Sequence, residues 1–143
     1  MTSGVIQTDT VLDRIVKQTA IDVSLRRETT PDSVLEDIVA RMDRQPLSLS
    51  TAIDTSTLGV IAEFKRGSPS RGVFPVEIEP VSVAEAYCEG GAVAISCLTD
   101  GPFFQGSAHD LKAVASVAHG EGRNVAVLRK DFTVDRYQLL EAR

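Results

Sequence analysis

Long apolar runs are missing from this 143-residue chain. None approaches the ~18 consecutive residues of a membrane-spanning helix, so no transmembrane segment is expected. A basic excess is missing too. The net charge of −5 argues against the broad positive footprint of a nucleic-acid-binding surface. Cysteine and histidine are scarce, with two of each and no C-x-x-C pair, so no metal ligand is assigned. Cys88 and Cys97 read as two reduced thiols. The opening MTSGVIQTDT has neither a basic n-region nor an apolar h-region. No secretory signal is therefore visible, and a cytoplasmic location is expected. No GxGxxG or GxxxxGK[ST] follows the first apolar run, which counts against a dinucleotide or P-loop site.

What is present is an ordinary globular composition and enough chain for one domain core. Residues 8 to 27 carry Val11, Leu12, Ile15, Val16 and Ala20 at helical spacing. A second helix follows, with Thr30 as its expected cap, Pro31 in its first turn and an apolar stripe of Leu35, Ile38, Val39 and Met42. Residues 1–50 thus read as an N-terminal helical extension.

The rhythm changes in residues 51–143. Val60-Ile61-Ala62, then Val93 to Leu98, then Val125 to Leu128 are apolar runs beginning roughly 32 residues apart, the size of a βαβ unit. Helix-like segments separate them: Val83 to Tyr87, a stretch opened by Ser107 and stopped by Gly120-Glu121-Gly122, and one after Asp135. Alternating strands and helices predict an α/β fold, with continuously apolar strands buried on both faces of a parallel sheet. Spacing leaves a closed barrel and an open doubly wound sheet equally open.

In either fold, chemistry gathers at the carboxyl ends of the strands. The first strand ends in Glu63-Phe64-Lys65-Arg66 and the third in Arg129-Lys130-Asp131-Phe132. Side chains alternate along a strand, so Glu63 and Lys65 share one face, and Lys130 shares a face with Leu128. Two ammonium groups and a carboxylate above one pocket could bind anionic groups or move protons. Asp131 reads equally as a turn former or an acid. Ser68-Pro69-Ser70 reads as a turn, and His109 and His119 as surface residues. Phe103-Phe104 reads as a core plug or as the wall of an aromatic site.

Taken in order, four stretches carry a resemblance. They are VIAEFKRGSPS (60–70), AISCLTD (94–100), FFQGS (103–107) and VLRKDF (127–132). Together they closely resemble indole-3-glycerol phosphate synthase, across the whole chain. The resemblance implies a (β/α)8 TIM barrel, no cofactor, and ring closure of a phosphorylated small molecule with loss of carbon dioxide and water. It implies that Lys130 is the general acid, that Lys65 holds an anionic group, and that Glu63 orients or exchanges protons with them. Ser68 and Pro69 would belong to a loop over the substrate. Leu98, Phe104 and Phe132 would pack on its aromatic ring. Cys97 and Gly67 are mild departures from the family pattern.

A TIM barrel needs eight strands, and this sequence supplies three before ending inside a helix at Arg143. The expectation is an N-terminal portion, inactive alone. Its implied partner is a complementing C-terminal half, or a further copy joined through exposed strand edges.

Overall fold

A computed structural model describes residues 6–54, 58–75, 77–120 and 122–143. Residues 1–5 of the opening stretch, and Glu121 of the expected helix stop, lie outside the described residues. In chain order the elements begin with helices α1 Val11–Thr29, α2 Asp32–Ala40 and α3 Leu49–Asp54. Strand β1 Ile61–Phe64 and the short strands β2 Gly67–Ser68 and β3 Gly72–Val73 follow. Next come α4 Pro80–Glu89, β4 Ala94–Leu98, α5 Gly101–Phe104, α6 Ala108–Ala118, β5 Ala126–Lys130 and α7 Tyr137–Ala142. They form two compact units, Met1–Asp43 with Phe132–Arg143, and Arg44–Asp131.

The first unit is helical. A capping box starts α1: the Thr10 hydroxyl accepts from the Leu12 amide at 3.2 Å, and Asp13 accepts from the Thr10 amide at 3.3 Å. Ile15, Thr19 and Val23, four residues apart, form its buried line, while Val11 and Leu12 are exposed. Thr30 does not cap α2. Its amide donates to the Arg26 carbonyl at 2.8 Å and closes α1, and Pro31 takes the capping position of α2 in extended backbone. The Tyr137 hydroxyl donates to the Thr30 carbonyl at 2.9 Å. Arg27 bridges Asp32 and Asp135, at 2.6 Å each, and lies over the Tyr137 ring. Gln138 is 1% exposed and hydrogen-bonded at both ends of its amide, accepting from the Val134 and Asp135 amides and donating to the Phe132 carbonyl.

The second unit is built on a three-stranded parallel sheet, ordered β1-β4-β5. The register places Glu63 opposite Ser96 and Ser96 opposite Leu128. Alternation then divides the sheet. Phe64, Ile95 and Cys97 point to one face and pack with Ala84 of α4 and with Val114 and Ala118 of α6. Ile61, Glu63, Leu128 and Lys130 belong to the other face.

Only the central strand is buried throughout. On β1 and β5 the expectation of burial on both faces fails, since Ile61 is 43% and Leu128 40% exposed. Each outer strand has one neighbour in the described sheet, and the core cluster lies on the face of Phe64, Ile95 and Cys97.

Phe64→Ala is expected to cost about 3–5 kcal/mol, because it empties the packed face. Ile61→Ala on the open face is expected to cost about 1 kcal/mol or less. Urea midpoints of the two variants check which face holds the core; equal losses would contradict the assignment.

Candidate active site at the carboxyl ends of the strands

Glu63 is the third residue of β1, and its backbone carbonyl accepts from the Tyr87 hydroxyl at 2.9 Å. Its carboxylate is ion-paired with Lys65, which lies just past the end of the strand. Both side chains remain partly open to solvent. Lys130 is the last residue of β5, exposed, with Leu98 directly opposite it. Leu98 itself is 3% exposed. Register parity therefore puts Glu63 and Lys130 on the same open face, with buried Leu98 between the outer strands. The ion pair with Glu63 keeps Lys65 with that set.

The loop after β1 contains a small hairpin, β2 paired antiparallel with β3, where the sequence reads only as a turn. Ser68 lies on β2, half-buried, and its hydroxyl accepts from the Arg71 amide at 3.3 Å. Pro69 is exposed at the tip. Gly67 fits here for a steric reason: a Cβ would meet the Gly72 carbonyl oxygen at 2.8 Å.

Phe104 is half-buried in α5, a one-turn helix also absent from the sequence reading. Asp100 caps it, accepting from the Phe103 and Phe104 amides at 2.7 and 3.2 Å. Gly106 then passes against the Leu98 carbonyl so closely that a Cβ would come within 2.1 Å. Phe132 is half-buried and belongs to the helical unit.

One assignment changes. His119 is not a surface residue: it is half-buried, and its Nε2 is buried with no hydrogen-bond partner among the described residues. Burial, aided by Arg44, lowers its pKa, and it sits at the end of α6 that leads into β5, away from the strand carboxyl ends. His109 is exposed, as expected. Asp131 is tied to Arg129 at 3.0 Å and to the Thr99 hydroxyl at 2.6 Å. Burial pushes the Cys97 thiol up to about 12, so it is no nucleophile at neutral pH.

Arg66 received no role from the sequence, yet several bonds hold it on the helix side of the sheet. It forks onto Asp110 at 3.1 and 2.8 Å, donates to the Ile78 carbonyl at 2.7 Å, and stacks 5.2 Å from the Phe64 ring. Its own carbonyl accepts from Phe74 at 2.9 Å. The available signal was alternation: adjacent Lys65 and Arg66 must leave the strand on opposite sides. A cavity of about 440 Å3 beside the hairpin is lined by Arg66, Phe74, Glu77 and Gln105, among others, but not by Glu63, Lys65 or Lys130.

A parallel sheet with helices on one face, and charged groups at its strand carboxyl ends, defines an α/β protein of the barrel or doubly wound class. Comparison resolves the choice. The family model described as indole-3-glycerol phosphate synthase matches residues 12–143, and the chain belongs to that family, whose members are TIM barrels. It is 39% identical over 133 residues to the indole-3-glycerol phosphate synthase of Salinibacter ruber, covering 93% of this chain and 48% of the relative. The enzyme of that name from Mycobacteroides abscessus is 41% identical over 134 residues, covering 94% and 47%. That from Roseiflexus sp. is 39% identical over 139 residues, covering 94% and 51%. The chain thus spans about half the length of the curated relatives it matches.

Burial works against the charged form of Asp110, but hydrogen bonds from Arg66 and Ser107 hold its carboxyl below the ordinary value of 3.8. A carboxylate with a depressed folded pKa stabilises the fold above its unfolded pKa, and that contribution fades as pH falls through the folded value. Asp110→Asn should therefore cost about 2–4 kcal/mol at pH 7 and flatten the stability loss below about pH 4. Denaturant titrations at pH 7 and pH 3 check this. An unchanged acid slope would show that the pair does not control it.

Proposed function

We propose that this chain is the N-terminal portion of an indole-3-glycerol phosphate synthase, a decarboxylating lyase of tryptophan biosynthesis acting in the cytoplasm. The observation that carries the reading is the shared open face of Glu63 and Lys130, with Lys65 ion-paired to Glu63, in a chain of this family. The substrate is 1-(2-carboxyphenylamino)-1-deoxyribulose 5-phosphate.

In the proposed reaction the ring carbon bearing the carboxylate attacks the ketone carbon, and a carbon–carbon bond forms. Lys130 gives its proton to the ketone oxygen, which becomes a hydroxyl. The carboxylate leaves as carbon dioxide, and its bond electrons restore the aromatic ring. Loss of the hydroxyl as water, with a proton from the neighbouring methylene, completes the indole. Lys65 holds an anionic substrate group, shares in the dehydration, and is itself held by Glu63. A positioned proton donor of this kind contributes about 100- to 10,000-fold. Ser68 and Pro69 form part of the covering loop, and Leu98, Phe104 and Phe132 offer apolar surface to the aromatic ring.

The partly exposed Ile61 and Leu128, on strands with one neighbour each, support a further proposal. Residues 1–50 are the helical extension, and residues 51–143 are the first three βα units of a TIM barrel. A complementing C-terminal half supplies the remaining strands and the rest of the site.

The test is an indole-forming assay on the chain alone, and with a C-terminal half added as a separate polypeptide. Turnover is expected only with the half added. Lys130→Ala should lower kcat at least ~100-fold, and Lys65→Ala should raise KM as well as lower kcat. Near-normal turnover by Lys130→Ala would overturn the role given to that residue.

A further inference from the structure

We propose that Thr99, Arg129 and Asp131 form a positioning device for Lys130, gripping the strand end from the face opposite the site. The proposal deepens the reading of Lys130 as a proton donor and rests on it. Lys130 is the last residue of β5, with a long side chain carrying several free rotations. The direction in which it leaves the strand is set by the backbone of the strand end. β5 is an outer strand of the described sheet, with β4 as its neighbour there.

The two residues flanking Lys130 add a second hold on the strand end. By alternation Arg129 and Asp131 leave the strand on the face away from Lys130. There the Thr99 hydroxyl donates to Asp131 Oδ2 at 2.6 Å. Arg129 Nε donates to the Thr99 oxygen at 3.1 Å and to Asp131 Oδ2 at 3.3 Å, and Nη2 donates to the same carboxylate oxygen at 3.0 Å. The side chains of Arg129 and Asp131 are 12% and 7% exposed, so water competes little for these bonds. Between them the Lys130 carbonyl accepts from the Thr99 amide at 3.2 Å. Thr99 therefore binds Lys130 through its backbone and both flanking residues through its hydroxyl.

A buried ion pair is weak as a source of net stability. Its value here is geometric: the last pleat of β5 cannot rotate without breaking the Thr99 bonds. The arrangement also accounts for Asp131. Its carboxylate is engaged on the helix-side face and does not share the mouth with Lys130.

The test uses the 143-residue chain carrying Thr99→Val, Thr99→Ser or Asp131→Asn. Val keeps the size of Thr and removes the hydroxyl, whereas Ser keeps the hydroxyl. Amide hydrogen exchange at residue 99 reports the bond to the Lys130 carbonyl, and exchange at Ile95 reports the core. Thr99→Val and Asp131→Asn are expected to lower protection at residue 99 at least tenfold and at Ile95 less than twofold. Thr99→Ser is expected to retain protection at both. Should Asp131→Asn fail to fold, the Val and Ser pair decides. Unchanged protection at residue 99 in Thr99→Val, equal loss at Ile95, or loss in Thr99→Ser overturns the proposal.

In the indole-forming assay with the C-terminal half present, Thr99→Val should lower kcat at least tenfold with KM within twofold, and Thr99→Ser should restore kcat. Lowered protection with unchanged kcat also overturns the device. Absence of turnover by the unmodified chain in that assay counts against the functional reading, while the exchange comparison still decides whether the grip exists.

Discussion

Register is the constraint on which this structure depends. Pairing Glu63 with Ser96, and Ser96 with Leu128, sorts every side chain of three strands onto one of two faces. One face receives α4 and α6 and becomes the core. The other receives the charged ends. A slip of one residue would send Phe64 outward and drive Glu63 into the helices, exchanging a buried aromatic for a buried carboxylate. The hydrophobic cost of that exchange fixes the alignment, and the alignment fixes the chemistry. Fold and site are thus two readings of one period-two pattern.

The polar contacts on the helix side follow the same logic. Arg66 and Arg129 both leave their strands toward the packed face, one residue away from Lys65 and Lys130. Each guanidinium is neutralised there by a carboxylate, Asp110 or Asp131. The neighbouring lysines are thereby left to the open face. Adjacent cations at a strand end do different work: the arginine, with its rigid fork, anchors, and the lysine, with its flexible ammonium, faces solvent. On the open face Lys65 is paired with Glu63, while on the helix side each arginine has its own carboxylate.

Much of this was legible in the residues. Apolar runs located the three strands, and helical spacing located α1, α2, α4 and α6, because each presents enough repeats to be read. The hairpin of β2 and β3, the single turn of α5 and the six residues of α3 are too short to leave a periodic trace. They are fixed by particular bonds, such as Asp100 accepting from two amides or Arg66 accepting from Phe74. Thr30 before Pro31 has the form of a helix start, yet its amide is taken by the preceding helix. The faces of Glu63 and Lys130 followed from alternation alone. The grips of Arg66 on Asp110 and of Thr99 on Asp131 did not, since partners 44 and 32 residues apart leave no local signal. His119 was misjudged because a lone polar residue at a helix end gives no hint of what packs over it.

The chain belongs to the family and spans about half the length of its relatives, and its strand ends carry a charged set on an open face. Whether Lys65 and Lys130 attend one mouth decides the proposed site. The most direct measurement is carbon NMR of labelled lysine side chains as 1-(2-carboxyphenylamino)-1-deoxyribulose 5-phosphate is added. The chain has four lysines, so Lys17 and Lys112 serve as internal references. Lys65 and Lys130 are expected to shift together along one binding curve while the references stay still. Movement of either without the other, or of the references alone, would contradict the shared mouth.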